Sequence, residues 1–107
     1  MQYDKLYPFV ISKLENELDS HIIYHNVRHT KNVIKNTLYL GEHENLNEHD
    51  LSLLKTAALL HDIGFLENHL NHEALGCDFA KKHLPSFEYS QQDIATICEM
   101  IMATKLP

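Results

Sequence analysis

The apolar residues of this chain recur at helical spacing through most of its length, and the alternation typical of strands is rare. The first series predicts a helix from Asp4 to Leu18, with Pro8 near its start, where a missing N–H costs least. Its apolar members are Leu6, Phe9, Val10, Leu14 and Leu18. With only 3 Gly and 3 Pro, the chain lacks the turn residues that many short strands need. We therefore expect almost no sheet.

A second apolar series predicts a second helix. We interpret residues Ser20 to Tyr24 as a connector, Asn26 as the N-cap and Gly41 as the end of this helix. The apolar members are Val33, Ile34, Leu38 and Leu40. His29 is then expected on the first turn.

A third helix is predicted where Asn47 is followed three residues later by Asp50, a capping arrangement. An apolar run extends from there to a stop at Gly64. His61 and Asp62 are therefore expected at the C-terminal end of this helix.

Two further helices complete the prediction. Asn71 can cap a fourth helix from Glu73 to His83, which leaves His72 at its very start, and Ser90 with Asp93 forms a capping box for a fifth. The fifth helix carries Ile94, Ile97 and Ile101. Since no repeat or linker is visible, residues 1–107 are expected to form a single all-α domain, a bundle of about five helices.

Composition and charge exclude some classes of function. A chain of 107 residues with 44% apolar content suits one core. Its net charge of −6 and scattered lysines provide no basic stripe, so duplex nucleic acid is not an expected partner. No run approaches the roughly 20 apolar residues of a membrane span. Cys77 and Cys98 form no Cys-x-x-Cys pair, and we interpret them as reduced core residues of a cytoplasmic protein.

The strongest chemical feature is the segment from Ala57 to Gly64, in which an apolar run ends in His61 and Asp62. Burying a carboxylate beside an imidazole is costly unless something compensates, and a divalent cation would do so. The alternative is that His61 is a hydrogen-bonded core histidine and that Asp62 pairs with a cation or caps a turn. The dipeptide alone leaves both interpretations open.

A second motif makes the first more specific. The run from Tyr24 to His29, with Val33 four residues later, together with the segment ending in His61 and Asp62, resembles the HD domain superfamily of metal-dependent phosphohydrolases. The resemblance extends from about residue 24 to residue 104 and implies an all-helical fold. It also implies that His29, His61 and Asp62 bind a divalent transition metal (Mn, Fe, Ni, Co or Zn), with Mg as a further possibility.

The family completes its metal site with an aspartate on a later helix. Asp78 and Asp93 are the only aspartates after Asp62, and neither stands in the context that the motif demands. We therefore expect the domain to be incomplete at its C-terminus.

Other residues have candidate roles beside the metal. The resemblance places His72 where relatives carry a third histidine, which can bind a second metal or contact the scissile phosphate. Glu73 could help to transfer a proton during the reaction. The alternative is an exposed first turn with a favourable negative charge. Arg28, the only arginine, could clamp a substrate phosphate, or could be a solvated surface residue. His25 could orient the site or contact substrate.

The remaining histidines stand in polar surroundings, and we expect all of them to be solvated. They are His21, His43, His49, His69 and His83.

The resulting prediction is a metal-dependent phosphohydrolase that uses a metal-activated water on a phosphomonoester or phosphodiester, with a nucleotide as the expected substrate. In this scheme Asp62, His72 and Glu73 take part in catalysis. The main alternative is a non-catalytic HD-like module for sensing or protein contact. A purely structural metal site would need a closed shell of four ligands.

Overall fold

The computed structural model describes residues 1–17, 20–61, 63 and 72–103, excepting the side chains of residues 16, 17, 20–27, 29 and 72. The described residues form helices and connecting turns without any strand, which confirms the all-α prediction. The helices are α1 (Tyr3–Glu17), α2 (Ser20–His43), α3 (Glu48–Leu60), α4 (His72–His83) and α5 (Gln91–Ala103), with a short 3₁₀ helix (Leu84–Phe87) between α4 and α5. None of these described helices is long and apolar enough to cross a membrane.

The start of α2 differs from the prediction. The expected connector at residues 20–24 is helical, so α2 begins at Ser20 and His29 lies in its third turn rather than its first. No Gly or Pro interrupts this stretch, and adding residues to a helix costs less than starting a new one. Asn26 therefore does not act as an N-cap, although asparagine favours that position.

Two predicted caps are confirmed. Before α3, the Oδ1 of Asn47 accepts a hydrogen bond of 2.8 Å from the backbone N–H of Asp50. Before α5, the Oγ of Ser90 accepts a bond of 3.1 Å from the backbone N–H of Asp93. Each bond satisfies one of the N–H groups that a helix start leaves without a partner. The predicted cap Asn71 lies outside the described residues.

The core is centred on α3, whose second half is almost entirely buried. Its buried members are Leu53, Thr56, Ala57, Ala58, Leu59 and Leu60. Helices α1 and α5 cover this half with apolar side chains, notably Leu6, Val10, Leu14, Ile97 and Ile101. The buried hydroxyl of Thr56 donates to the carbonyl of Ser52 at 2.8 Å and therefore accepts from the hydroxyl of Tyr89 at 2.7 Å.

Two glycines fix how closely other helices approach α3. A Cβ at Gly41 of α2 would lie 2.5 Å from the side chain of Leu51, near the start of α3. A Cβ at Gly76 of α4 would lie 3.1 Å from the carbonyl oxygen of Leu60, at the end of α3. Helix α2 thus packs on the N-terminal end of α3 through its own C-terminal part, and α4 packs on the opposite end.

Candidate metal centre

The C-terminal end of α3 presents a histidine in a fixed orientation. His61 follows the last residue of the helix with αR backbone angles (φ −60, ψ −29) and is half-buried. Its Nδ1 lies 2.7 Å from the carbonyl oxygen of Ala58. Because a carbonyl can only accept, Nδ1 is the donor of this hydrogen bond. Histidines that bind metals commonly donate their other N–H to a backbone carbonyl in this way, so His61 fits a ligand role.

Helix α2 approaches the same end of α3. Val33 and Thr37 of α2 line a cavity of about 120 Å³ together with His61 and Met100. Since Gly41 lies against the start of α3, the two helices run antiparallel, and earlier residues of α2 lie level with later residues of α3. His29 precedes Val33 by four residues, about one helical turn. The backbone of α2 therefore carries position 29 towards the end of the bundle where His61 lies.

Helix α4 brings a buried acid to this end of α3. Glu73 is only 6% exposed, although it lies in the first turn of α4. Three residues later, Gly76 allows α4 to pass close to the carbonyl of Leu60, and its Cβ position would also lie 3.7 Å from the side chain of Ile63. Glu73 is thus not on an exposed first turn, which was the alternative interpretation. A buried carboxylate on the helix that packs on the end of α3 has the chemistry of a proton carrier or of a metal-site partner.

The structure describes the other predicted site residues to different extents. Arg28 is exposed on α2. His25 and His29 belong to the same helix, and His72 begins α4, but their side chains lie outside the description. Asp62 lies outside it altogether. The convergence of His29, His61 and Asp62 therefore remains a prediction.

Within the described part of the chain, no three His, Cys, Asp or Glu side chains gather closely enough to hold a metal. The two later aspartates do not complete such a group. Asp78 is exposed on α4, and Asp93 at the start of α5 accepts a hydrogen bond of 3.1 Å from the Nε2 of His49.

Of the five histidines expected to be solvated, the structure describes the side chains of three. His43 and His49 are exposed, as predicted. For His83 the prediction is wrong, because its ring is half-buried at 4.4 Å from the ring of Phe79 and 5.3 Å from that of Phe9. Burial, reinforced by Lys82 and Lys13, lowers the pKa of His83. His21 lies in α2 with its side chain outside the described part, and His69 falls outside the described residues.

The cavity beside His61 adds two residues that the sequence analysis did not single out. Thr37 shares a helical face with positions 29 and 33, so the spacing alone could have indicated it. Met100 comes from α5, and no local pattern connects it with His61.

Comparison with known proteins identifies the family of the chain. The family model of the HD domain matches residues 26–103, so the chain belongs to the HD domain family. This confirms the resemblance that the two motifs indicated, and the family is one of metal-dependent phosphohydrolases. No curated protein and no solved structure matches the chain.

Proposed function

We propose that this chain is a metal-dependent phosphohydrolase domain. Its proposed substrate is a small phosphoester, namely a nucleotide. The observation that carries the proposal is the orientation of His61. Its Nδ1 is engaged by the carbonyl of Ala58, at the end of α3 that α2 and α4 also approach. In a chain of the HD family, that is where the His-Asp pair is expected to bind its metal.

The proposed metal ligands are His29, His61 and Asp62. Two imidazoles and a carboxylate are donors that Mn, Fe, Ni, Co or Zn accept readily, and Mg less so. A bound divalent cation supplies a Lewis acid that lowers the pKa of water and stabilises charge on a phosphoryl oxygen.

The chain's own residues perform the remaining tasks. Glu73 is proposed to accept and return a proton at its carboxylate, because it is buried away from bulk water in the first turn of α4, the helix that passes close to the end of α3 at Gly76. Asp62 can share that task. Arg28 is exposed on α2, and we assign to it the binding of a substrate phosphate. His72 and His25 are proposed to assist in holding the substrate.

The proposal is for a cytoplasmic enzyme, in keeping with the thiols of Cys77 and Cys98, which are both free.

The test is a screen of tag-free protein against p-nitrophenyl phosphate, bis-p-nitrophenyl phosphate and a panel of nucleotides, with Mn, Ni, Co and Mg. Any longer form of the protein is assayed in parallel, because the family resemblance calls for a further aspartate. We expect hydrolysis that requires the metal. Absence of activity in every form would favour the alternative, a sensing or protein-interaction module of the same fold.

Matched variants separate the proposed roles. His61→Ala should lose both metal and activity, by at least about 100-fold, since loss of even an outer partner of a metal ligand costs up to that much. Glu73→Gln should keep the metal and lower kcat. Asp78→Asn, an exposed carboxylate on the same helix, is the control and should change neither. Equal activity in Glu73→Gln and Asp78→Asn would contradict the role of Glu73.

A further inference from the structure

The two cysteines of the chain face each other across the contact between α4 and α5. The Sγ of Cys77 donates to the carbonyl of Cys98 at 3.4 Å, and the Sγ of Cys98 donates to the carbonyl of Cys77 at 3.7 Å. Each thiol therefore lies against the backbone of the other residue. Nearby, the Cβ position of Gly76 would lie 3.5 Å from the side chain of Ile101 on α5, an ordinary van der Waals distance.

The two thiols have different environments. Cys77 is buried, and this burial together with the neighbouring Cys98 raises the pKa of its thiol to about 12. Cys98 is only half-buried. Cys98 is thus the thiol that a reagent reaches first, and Cys77 is held beside it.

Both cysteines line one cavity. Cys77 and Cys98 line a cavity of about 380 Å³ whose charged residues are Asp78, Lys81 and Glu99. The ammonium of Lys81 stabilises a thiolate at Cys77 and so acts against the effect of burial. A cavity of this volume admits a small molecule.

We propose that Cys77 and Cys98 form a dithiol modification site that a low-molecular-weight disulfide converts into a disulfide bridge between α4 and α5. In the first step, Cys98 loses its proton to solvent and attacks one sulfur of the reagent, whose S–S bond breaks and releases one thiol. In the second, Cys77 loses its proton and attacks Cys98, releasing the second thiol. The protein dithiol is oxidised, and the reagent is reduced to two thiols.

This inference is independent of the proposed hydrolase activity. Its structural consequence is a covalent link one helical turn after Glu73, which would fix α4 against α5. In a cytoplasmic protein such a bridge is expected to be transient and reversible, because the thiols there are kept reduced.

The test is treatment of the folded, reduced chain with oxidised glutathione, followed by intact mass measurement and peptide mapping without reduction. We expect the monomer to lose two hydrogen atoms, a linked pair of peptides containing Cys77 and Cys98, and reversal by dithiothreitol. A stable glutathione adduct, a disulfide-linked dimer, or two thiols that react only after unfolding in urea would overturn the proposal.

Single variants test the order of attack. Cys77→Ser should retain one glutathione on Cys98, because no thiol is left to displace it. Cys98→Ser should leave Cys77 unmodified over the same time. Faster modification of Cys77 than of Cys98 would contradict the assigned order. Should a variant fail to fold, the peptide map of the unaltered chain still decides whether the bridge forms.

Discussion

At each end of α3, a different helix contacts it through a glycine: α2 at the N-terminal end and α4 at the C-terminal end. The two contacts differ in kind. At the N-terminal end, Gly41 faces the side chain of Leu51, which can change its rotamer. At the C-terminal end, Gly76 faces the backbone carbonyl of Leu60, which cannot move without the helix. The first contact is adaptable and the second rigid.

The polar residues at the two ends of α3 also differ, in how deeply they are buried and how firmly they are held. His49, in the first turn of α3, is exposed and bonds to Asp93 across the surface. His61, beyond the last turn, is half-buried and held by Ala58, with the buried Glu73 on the helix that Gly76 brings close. Ionisable groups are costly to bury, and a rigid surrounding structure is needed to hold them in one geometry. We therefore propose a functional role for the rigid end of α3 and a stabilising role for the adaptable end.

The largest expected effect on stability comes from the apolar residues beside these two ends. Leu60→Ala removes a side chain that is 0% exposed and should lower the free energy of unfolding by about 2–5 kcal/mol. Leu46→Ala, at a position 37% exposed, should cost less than about 1 kcal/mol. Urea unfolding followed by circular dichroism measures both. Equal losses would show that the two ends are packed alike.

A smaller effect is expected from the glycines. Gly76→Ala should lower the free energy of unfolding by about 1–3 kcal/mol, because the new methyl group presses on a backbone carbonyl. Gly41→Ala should be close to neutral, since Leu51 can turn aside and alanine favours the helix by about 1 kcal/mol. Thermal unfolding of the two variants, side by side, tests the distinction. A larger loss of stability in Gly41→Ala than in Gly76→Ala would reverse the assignment of the rigid and adaptable ends.

The smallest effect concerns the cap of α3. Asn47→Ala removes the acceptor of the bond from Asp50 and should cost about 1 kcal/mol. Because this end is assigned no part in the metal site, the variant should bind metal as the unaltered protein does. Isothermal titration with Mn or Ni checks the affinity, and urea unfolding checks the stability. A lower metal affinity in Asn47→Ala would show that the N-terminal end of α3 also contributes to the metal site, against this assignment.

The helix caps that the sequence predicted correctly are local features. The caps at Asn47 and Ser90 depend on a side chain and an N–H group three residues later, so spacing was enough to find them. The start of α2 does not follow from Asn26, because an asparagine that favours an N-cap position can also lie inside a helix where no Gly or Pro interrupts the chain.

The missed features depend on contacts between distant segments. The polar surroundings of His83 in the sequence predict a solvated side chain, but Phe9 of α1 packs against its ring. The burial of Glu73 follows from how closely α4 approaches α3, which one glycine in the sequence indicates but does not measure. For the site itself, the two motifs indicated the family, and the family model confirms it. The meeting of His29 with His61 and Asp62 is still to be tested.

The most direct test is the metal content of tag-free protein, measured for the unaltered chain, His61→Ala and His49→Ala. The two variants remove a histidine from opposite ends of the same helix, so a general effect of losing a histidine would appear in both. We predict close to one equivalent of a transition metal in the unaltered chain and in His49→Ala, and almost none in His61→Ala. An unaltered chain without metal, or equal metal in the two variants, would contradict the assignment of the metal centre to the C-terminal end of α3.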